Sequence, residues 1–123
     1  MRRSGFEFGS HTLTHPELTS LNMASQWREI SGSKEELEKA LDAPCEFFCF
    51  PYGRYDSEAL CLVRASGYLG ACTNIPGVNQ KVNPYLLRRT EISGFDTLEE
   101  FIKKMAGAYD LMHQTLHWVR GRP

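Results

Sequence analysis

Two histidines four residues apart, His11 and His15, are the residues of this chain whose type and spacing best suit chemistry. Neutral imidazole is the commonest protein ligand for divalent transition metals, and two imidazoles need only a third ligand and a water to form an open, catalytic type of metal site. Two surface histidines at this spacing by chance are the alternative interpretation of the pair alone. Phe6 and Phe8 alternate as in a strand, and Pro16 prevents an ordinary helix from running through His15. The pair is therefore predicted on a turn at a strand end, where α/β folds gather their ligand sites.

A second motif follows after a predicted helix and strand, in the sequence Phe50-Pro51-Tyr52-Gly53. The Ser/Thr-flanked His-x-x-x-His-Pro segment and this Pro-Tyr-Gly turn, in this order and at this separation, resemble the polysaccharide deacetylases, also called the NodB-homology or carbohydrate esterase family 4 domain. The resemblance covers roughly residues 5 to 95. It implies an α/β fold, an incomplete and distorted (β/α) barrel of mostly parallel strands, and metal-dependent removal of N- or O-acetyl groups from a carbohydrate.

The resemblance also assigns roles to individual residues. His11 and His15 match the two metal-binding histidines of the family, which implies a divalent metal cofactor, zinc before cobalt or nickel. Tyr52 matches the residue whose backbone N–H stabilises the oxyanion, and Pro51, Tyr52 and Gly53 match the substrate-binding turn. An aromatic side chain that simply walls a strand end is the alternative for Tyr52.

The family's first motif, Thr-Phe-Asp-Asp-Gly, is absent from this chain. That motif supplies the catalytic base and the third metal ligand of the family. The four aspartates are instead predicted to be helix caps or surface residues: Asp42, Asp56, Asp96 and Asp110. We therefore expect residues 1–123 to form a single partial domain, as a fragment, a truncated product or a remnant.

Cys49 stands where many family members carry an arginine that orients the base. A subgroup with an apolar residue at this place resembles the chain more closely, since it also has a Leu-x-Arg strand like that at Leu87. The hypothesis is that Arg89 or Arg88 takes over the orienting role, and a solvent-exposed arginine is the alternative. The family's general acid has two look-alikes, His113 and His117, but both fall in a predicted helix rather than at a strand end, so they could equally bind adventitious metal.

Composition excludes several classes of function. The net charge of −1 over 123 residues gives no electrostatic reason to expect a nucleic acid or an anionic membrane as partner. No apolar run approaches the length of a membrane span or of a signal-peptide core, so we expect the chain as written to be cytoplasmic, although the family is often secreted or attached to the cell envelope. The cysteines form no Cys-x-x-Cys motif and are predicted to be buried free thiols: Cys45, Cys49, Cys61 and Cys72.

Hydrophobic periodicity predicts alternating strands and helices. Strands are predicted over residues 5–9, 45–50, 68–72 and 86–92. Four helices are predicted: over residues 22–41, from residue 56 or 57 to residue 67, from residue 96 or 97 onward, and over residues 107–119. The apolar stripe of the first helix is assigned to Met23, Trp27, Ile30, Leu37 and Leu41, with a break near Gly32 as an alternative. This order predicts parallel strands joined by helical crossovers. Missing first strands would leave bare edges, which predicts a homo-oligomer or a second polypeptide as partner.

Three functional interpretations follow. The first is a metal-dependent carbohydrate deacetylase acting on an acetylated carbohydrate substrate, with its catalytic competence in doubt. The second is a noncatalytic remnant that keeps a carbohydrate-binding or purely structural role. The third is an unrelated metal-binding α/β module, which would require the Pro-Tyr-Gly turn to lie far from the histidines.

Overall fold

The computed structural model describes residues 5–77, 79 and 83–107. Three helices and two strands lie in this part of the chain: α1 (Met23–Leu41), β1 (Phe47–Cys49), α2 (Ser57–Ala65), β2 (Gly70–Cys72) and α3 (Leu98–Met105). The described residues fall into two compact units, the first formed by residues 5–73 and 83–87 and the second by the remaining described residues. No helix within these described ranges is both long and apolar enough to cross a bilayer.

The sheet of the first unit is parallel, as predicted. β1 and β2 pair with Phe48 opposite Ala71. Isolated parallel bridges extend the ladder on both sides, from Ser10 to Phe48 and from Cys72 to Leu87. The predicted strand over residues 5–9 was wrong, because the residue that bridges is Ser10, just after it. The predicted strand over residues 86–92 was wrong in extent, because only Leu87 forms a bridge. The α/β class with parallel strands is confirmed.

Helix α1 begins where the sequence predicted, with the Asn22 side chain accepting the backbone N–H of Ser25 at 2.9 Å. It ends at Asp42, whose φ of 50° is left-handed and stops the helix. The predicted alternative of a break near Gly32 was wrong, since the helix is continuous. A Cβ on Gly32 would lie 2.9 Å from Cδ1 of Leu13, so this glycine allows the turn that follows His11 to approach the helix closely.

The buried face of α1 differs from the predicted stripe. Gln26, Ile30 and Ser33 are the buried residues of the helix, whereas Met23 and Trp27 are exposed. Two polar residues can lie inside because each has partners: Gln26 Nε2 donates to the Leu18 carbonyl at 3.0 Å, and Ser33 donates to the Ile30 carbonyl at 3.0 Å. Buried polar groups with hydrogen bonds avoid most of the cost of desolvation. The apolar pattern was therefore right for Ile30, which is buried, and for Leu37, which packs against the core, and wrong for Met23 and Trp27.

Helix α2 packs against α1, and the core lies between these helices and the sheet. Asp56 caps α2 by accepting the N–H of Ala59 at 2.7 Å, as predicted for this aspartate. Phe48 stands at the centre of the core, with its ring 5.3 Å from the rings of both Phe50 and Tyr68. Such edge-to-face and tilted aromatic contacts add to the stabilisation from burial. This core fixes the strand ends from which the site residues project.

The second unit contains α3. Thr97 caps this helix with a reciprocal capping box to Glu100, in agreement with the predicted start. Asp96 accepts from Lys104 at 2.7 Å, and this ion pair together with the backbone N–H of Ser93 lowers the pKa of the carboxyl. Asp96 is thus a structural residue of the helix start, as predicted. The last predicted helix, with Asp110, His113 and His117, lies outside the described residues.

The cysteine prediction holds for one residue and fails for another. Cys45 is buried and Cys61 is exposed on α2, while Cys49 and Cys72 are half-buried register partners on β1 and β2. Burial raises the pKa of the Cys45 thiol. Cys61 was assigned to the interior because the helix pattern around it is largely apolar, but its side chain lies on the outer face.

Candidate functional site

The two histidines lie on a turn that leaves the sheet at Ser10. The Ser10 N–H donates to the Phe47 carbonyl at 2.8 Å, and the Cys49 N–H donates to the Ser10 carbonyl at 2.8 Å, so this residue is locked beside β1. The Ser10 hydroxyl also bonds the buried hydroxyl of Ser33 on α1 at 2.6 Å. The residue that follows, His11, therefore starts from a fixed point at the end of the strand.

The imidazole nitrogens of the two histidines converge. His11 Nε2 and His15 Nε2 are 3.1 Å apart. His11 Nδ1 lies 2.7 Å from the Cys49 carbonyl oxygen, to which it can only donate. That bond fixes the tautomer with the proton on Nδ1 and leaves the Nε2 lone pair directed toward His15. The Nε2 atoms of His11 and His15 therefore lie next to each other.

Tyr52 belongs to the same cluster. Its ring centroid lies 4.8 Å from that of His15 at an interplanar angle of 74°, and the side chain is 58% exposed. Tyr52 has a φ of 56° within the short 3₁₀ turn Pro51–Gly53, where Pro51 is buried and Gly53 also has a positive φ. This left-handed backbone turns the chain sharply after β1 and brings the Pro-Tyr-Gly turn to the histidines. The third interpretation, which required this turn to lie far away, is therefore not met.

An ion pair joins the segments that follow the two turns. Arg54 Nη1 and Glu17 Oε1 are 2.6 Å apart, and this hydrogen bond lowers the pKa of Glu17. Because both groups are exposed, the pair contributes little to stability. It links the chain after Pro16 to the chain after Gly53, on either side of the clustered rings.

The turn between the histidines is strained and held from α1. Thr12 and His15 have φ values of 70° and 59°, which non-glycine residues rarely adopt and which cost about 1–3 kcal/mol each. The Thr12 hydroxyl accepts the His15 N–H at 3.0 Å. Glu29 Oε2 accepts the N–H groups of Leu13 and Thr14, both at 2.9 Å, and Glu29 Oε1 accepts the Thr14 hydroxyl at 2.8 Å.

The charge of Glu29 is stabilised by this arrangement. Burial disfavours its ionised form, but the hydrogen bonds from Thr14 and Leu13 outweigh burial and lower the pKa of the carboxyl below its usual value. The sequence did not single out Glu29. The only available signal is a carboxylate on the predicted helix, and nothing in the pattern shows which of several glutamates reaches a turn fifteen residues earlier.

The predicted arginines lie in the second unit. Arg88 and Arg89 are exposed, and the Arg89 guanidinium donates to Asn74 Oδ1 at 2.6 Å through Nη2. The orienting role of Arg89 stays a prediction. Among the described residues, no group of three or more His, Cys, Asp or Glu side chains is arranged to hold a metal ion.

The sequence model of the polysaccharide deacetylase family matches residues 1–71, which is more than half of the chain. The chain belongs to the polysaccharide deacetylase family. The resemblance noted from the two motifs is thereby confirmed.

Sequence and structure comparisons agree with this assignment. A Bacillus subtilis protein, YxkH, which carries a provisional polysaccharide deacetylase name, is 30% identical over 94 residues, covering 76% of this chain and 34% of that protein. The Streptococcus pyogenes deacetylase PplD, solved in complex with acetate, superposes with a TM-score of 0.72 at 26% identity, over 85% of this chain and 46% of that one. The Bacillus cereus polysaccharide deacetylase BC0361 gives a TM-score of 0.70 at 28% identity, over 85% and 34% of the two chains. The chain thus spans between a third and a half of the length of these relatives.

Proposed function

We propose that this chain carries the metal-binding histidine turn and the oxyanion turn of a polysaccharide deacetylase, which hydrolyses N- or O-acetyl groups of a carbohydrate. The observation that carries the proposal is the convergence of the two Nε2 atoms, 3.1 Å apart, beside the Tyr52 ring. Family membership supports the reaction class. The acetate in the related PplD structure is the product that such a reaction releases.

The donor set fits one divalent ion, zinc first. Zinc–imidazole bonds are about 2.0–2.1 Å, so two nitrogens bound to one ion at an angle near 95–110° lie about 2.9–3.4 Å apart. The separation of 3.1 Å between the histidine nitrogens falls in this range. The bond from His11 Nδ1 to the Cys49 carbonyl is the outer contact that metal-bound histidines usually have. His11 and His15 would hold the ion, and further ligands would come from groups other than those described.

The chemistry divides between the metal and the protein. When bound, the metal would supply Lewis acidity for the acetyl carbonyl and a more acidic water. His11 is oriented by its carbonyl partner. Tyr52 has left-handed backbone and contacts His15 through its ring, and the Tyr52 N–H is proposed to stabilise the developing oxyanion. Water adds to the acetyl carbon, the C–N or C–O bond breaks, and acetate leaves with a free amine or hydroxyl on the sugar. The exposed Tyr52 ring, with Pro51 and Gly53, is proposed to face the sugar.

A noncatalytic remnant is the second candidate. It is favoured by one observation: the described residues contain no group of three or more His, Cys, Asp or Glu side chains arranged to hold a metal ion. Such a protein would keep metal or carbohydrate binding without turnover.

The two candidates differ in a direct assay. Purified chain is incubated with acetylated chito-oligomers and with acetylxylan, with and without added Zn²⁺, and released acetate is measured. Zinc-dependent release that His11→Ala abolishes supports the enzyme. Stoichiometric zinc binding without acetate release supports the remnant, and zinc binding that is unchanged in His11→Ala contradicts the metal site itself.

We also propose that the chain associates with a second copy through its sheet edges. The outermost segments of the described sheet, at Ser10 and Leu87, are each bridged on one side, and incompletely paired edges invite pairing with another chain. Light scattering tests this proposal: a dimer mass at micromolar concentration is expected, and a monomer mass across the whole concentration range contradicts it.

A further inference from the structure

Glu29 on α1 accepts three hydrogen bonds from the turn between the two histidines. We infer that Glu29 is a positioning residue, which holds the turn so that His15 Nε2 faces His11 Nε2 and the pair can bind one metal ion. The inference rests on the proposed function for its metal. It adds a residue, on another element of the fold, on which metal affinity should depend.

The contacts are specific to the turn. One carboxylate oxygen accepts the consecutive N–H groups of Leu13 and Thr14, and the other accepts the Thr14 hydroxyl. All three partners are donors, so the position requires an acceptor at both oxygens, and an ionised carboxylate provides both. Hydrogen bonds to a charged acceptor are about twice as strong as neutral ones. Helix α1 therefore holds the middle of the turn through the side chain of Glu29 alone.

The backbone conformation of the turn explains why these hydrogen bonds to Glu29 are needed. Thr12 and His15 both have positive φ, and backbone conformations of this kind persist only where the surroundings fix them from several sides. The Thr12 hydroxyl fixes the turn from within, by accepting the His15 N–H. Glu29 fixes it from the helix, by contacts to the two residues that lie between the strained positions. Without Glu29 the turn should relax toward ordinary φ values, and the imidazole of His15 would move away from His11.

Three variants separate positioning from general stability. Glu29→Ala removes all three contacts, whereas Glu29→Gln keeps one acceptor oxygen of similar reach and should rescue part of the effect. Glu36→Gln is the matched control, since Glu36 is an exposed glutamate of the same helix. Thermal unfolding of each variant reports its effect on the fold.

Zinc affinity, measured by competition with a chromophoric chelator, is the first readout. Glu29→Ala should weaken zinc binding about 10- to 100-fold, the range typical for loss of an outer-shell contact. Glu29→Gln should fall between this variant and the wild type, and Glu36→Gln should match the wild type. Unchanged affinity in Glu29→Ala, even with a lowered unfolding temperature, would mean that Glu29 is merely structural and would overturn the inference.

Amide hydrogen exchange without metal is the second readout, and it does not depend on the proposed function. The Leu13 and Thr14 amides should exchange at least about tenfold faster in Glu29→Ala, the factor expected for loss of a charge-assisted hydrogen bond. Equal exchange rates in Glu29→Ala and the wild type would contradict the hydrogen bonds from the turn to Glu29. If exchange accelerates but His11→Ala has no effect on zinc binding, the metal site of the proposed function is wrong and the positioning role falls with it, while the contact of Glu29 with the turn stands.

Discussion

Gly70, the first residue of β2, should not tolerate even one added carbon. A Cβ built there would lie 2.7 Å from the Pro84 carbonyl oxygen, about 0.7 Å inside the 3.4 Å at which ordinary contact begins. That oxygen belongs to the backbone and accepts the Ala71 N–H at 2.8 Å, so it cannot move away without stretching this bond. Overpacking costs about 1–3 kcal/mol and the weakened hydrogen bond about 0.5–1.5 kcal/mol. Gly70→Ala should therefore lower the free energy of unfolding by roughly 2–4 kcal/mol.

Urea denaturation of the purified chain measures this loss directly, with Gly94→Ala as the matched control. A Cβ at Gly94 meets nothing within 4 Å and its φ is not positive, so this variant should stay within about 0.5 kcal/mol of the wild type. Hydrogen exchange at the Ala71 amide locates the effect, because the hydrogen bond that should lengthen is the one from this amide to the Pro84 carbonyl. A Gly70→Ala protein as stable as Gly94→Ala, with unchanged protection at Ala71, would refute the close approach of the segment at Pro84 to β2.

Three further outcomes can be measured on the same protein. Tyr68→Phe removes a buried hydroxyl that donates to the Ile30 carbonyl at 3.0 Å, and it should cost about 0.5–1.5 kcal/mol in the same denaturation assay, because one hydrogen bond is lost while that carbonyl still accepts from the Ser33 hydroxyl. A thiol reagent such as 5,5′-dithiobis(2-nitrobenzoate) should modify the exposed Cys61 first and the buried Cys45 last, and the opposite order by peptide mass mapping would contradict the burial of Cys45. The pKa of Glu29 is lowered in the folded state. Its stabilising contribution is therefore complete above the unfolded carboxyl pKa of about 4.3 and is lost as pH falls through the folded pKa. A Glu29→Gln protein should lose less stability than the wild type between pH 6 and pH 3.

Local signals predicted the helices well. The caps at Asp56 and Thr97 form at helix starts that the sequence predicted, each as one of two candidate residues. A helix N-cap requires only a short polar side chain and a backbone N–H three residues later, so a few consecutive residues are enough to predict it. The two motifs likewise marked the residues that the fold brings together, His15 and Tyr52.

Features that depend on distant partners were predicted poorly. A strand was predicted over residues 86–92, yet only Leu87 forms a bridge, because strand length is set by the neighbouring segment and not by the residue pattern alone. Gly32 was weighed as a helix breaker, whereas it lies opposite Leu13 and serves a close approach. Glu29 was overlooked for the same reason, since its partners lie in a turn that reaches it only through the fold.

The neighbours in the parallel ladder follow one another as they do along the chain: Ser10, Phe48, Ala71 with Cys72, and then Leu87. Each of these described segments can therefore dock on one that precedes it in the chain. A nascent polypeptide leaving the ribosome could add these layers one at a time, with the histidine turn already seated on α1 before the final segment emerges. Such vectorial assembly would shorten the time for which each of these strand edges stays unpaired and open to another chain.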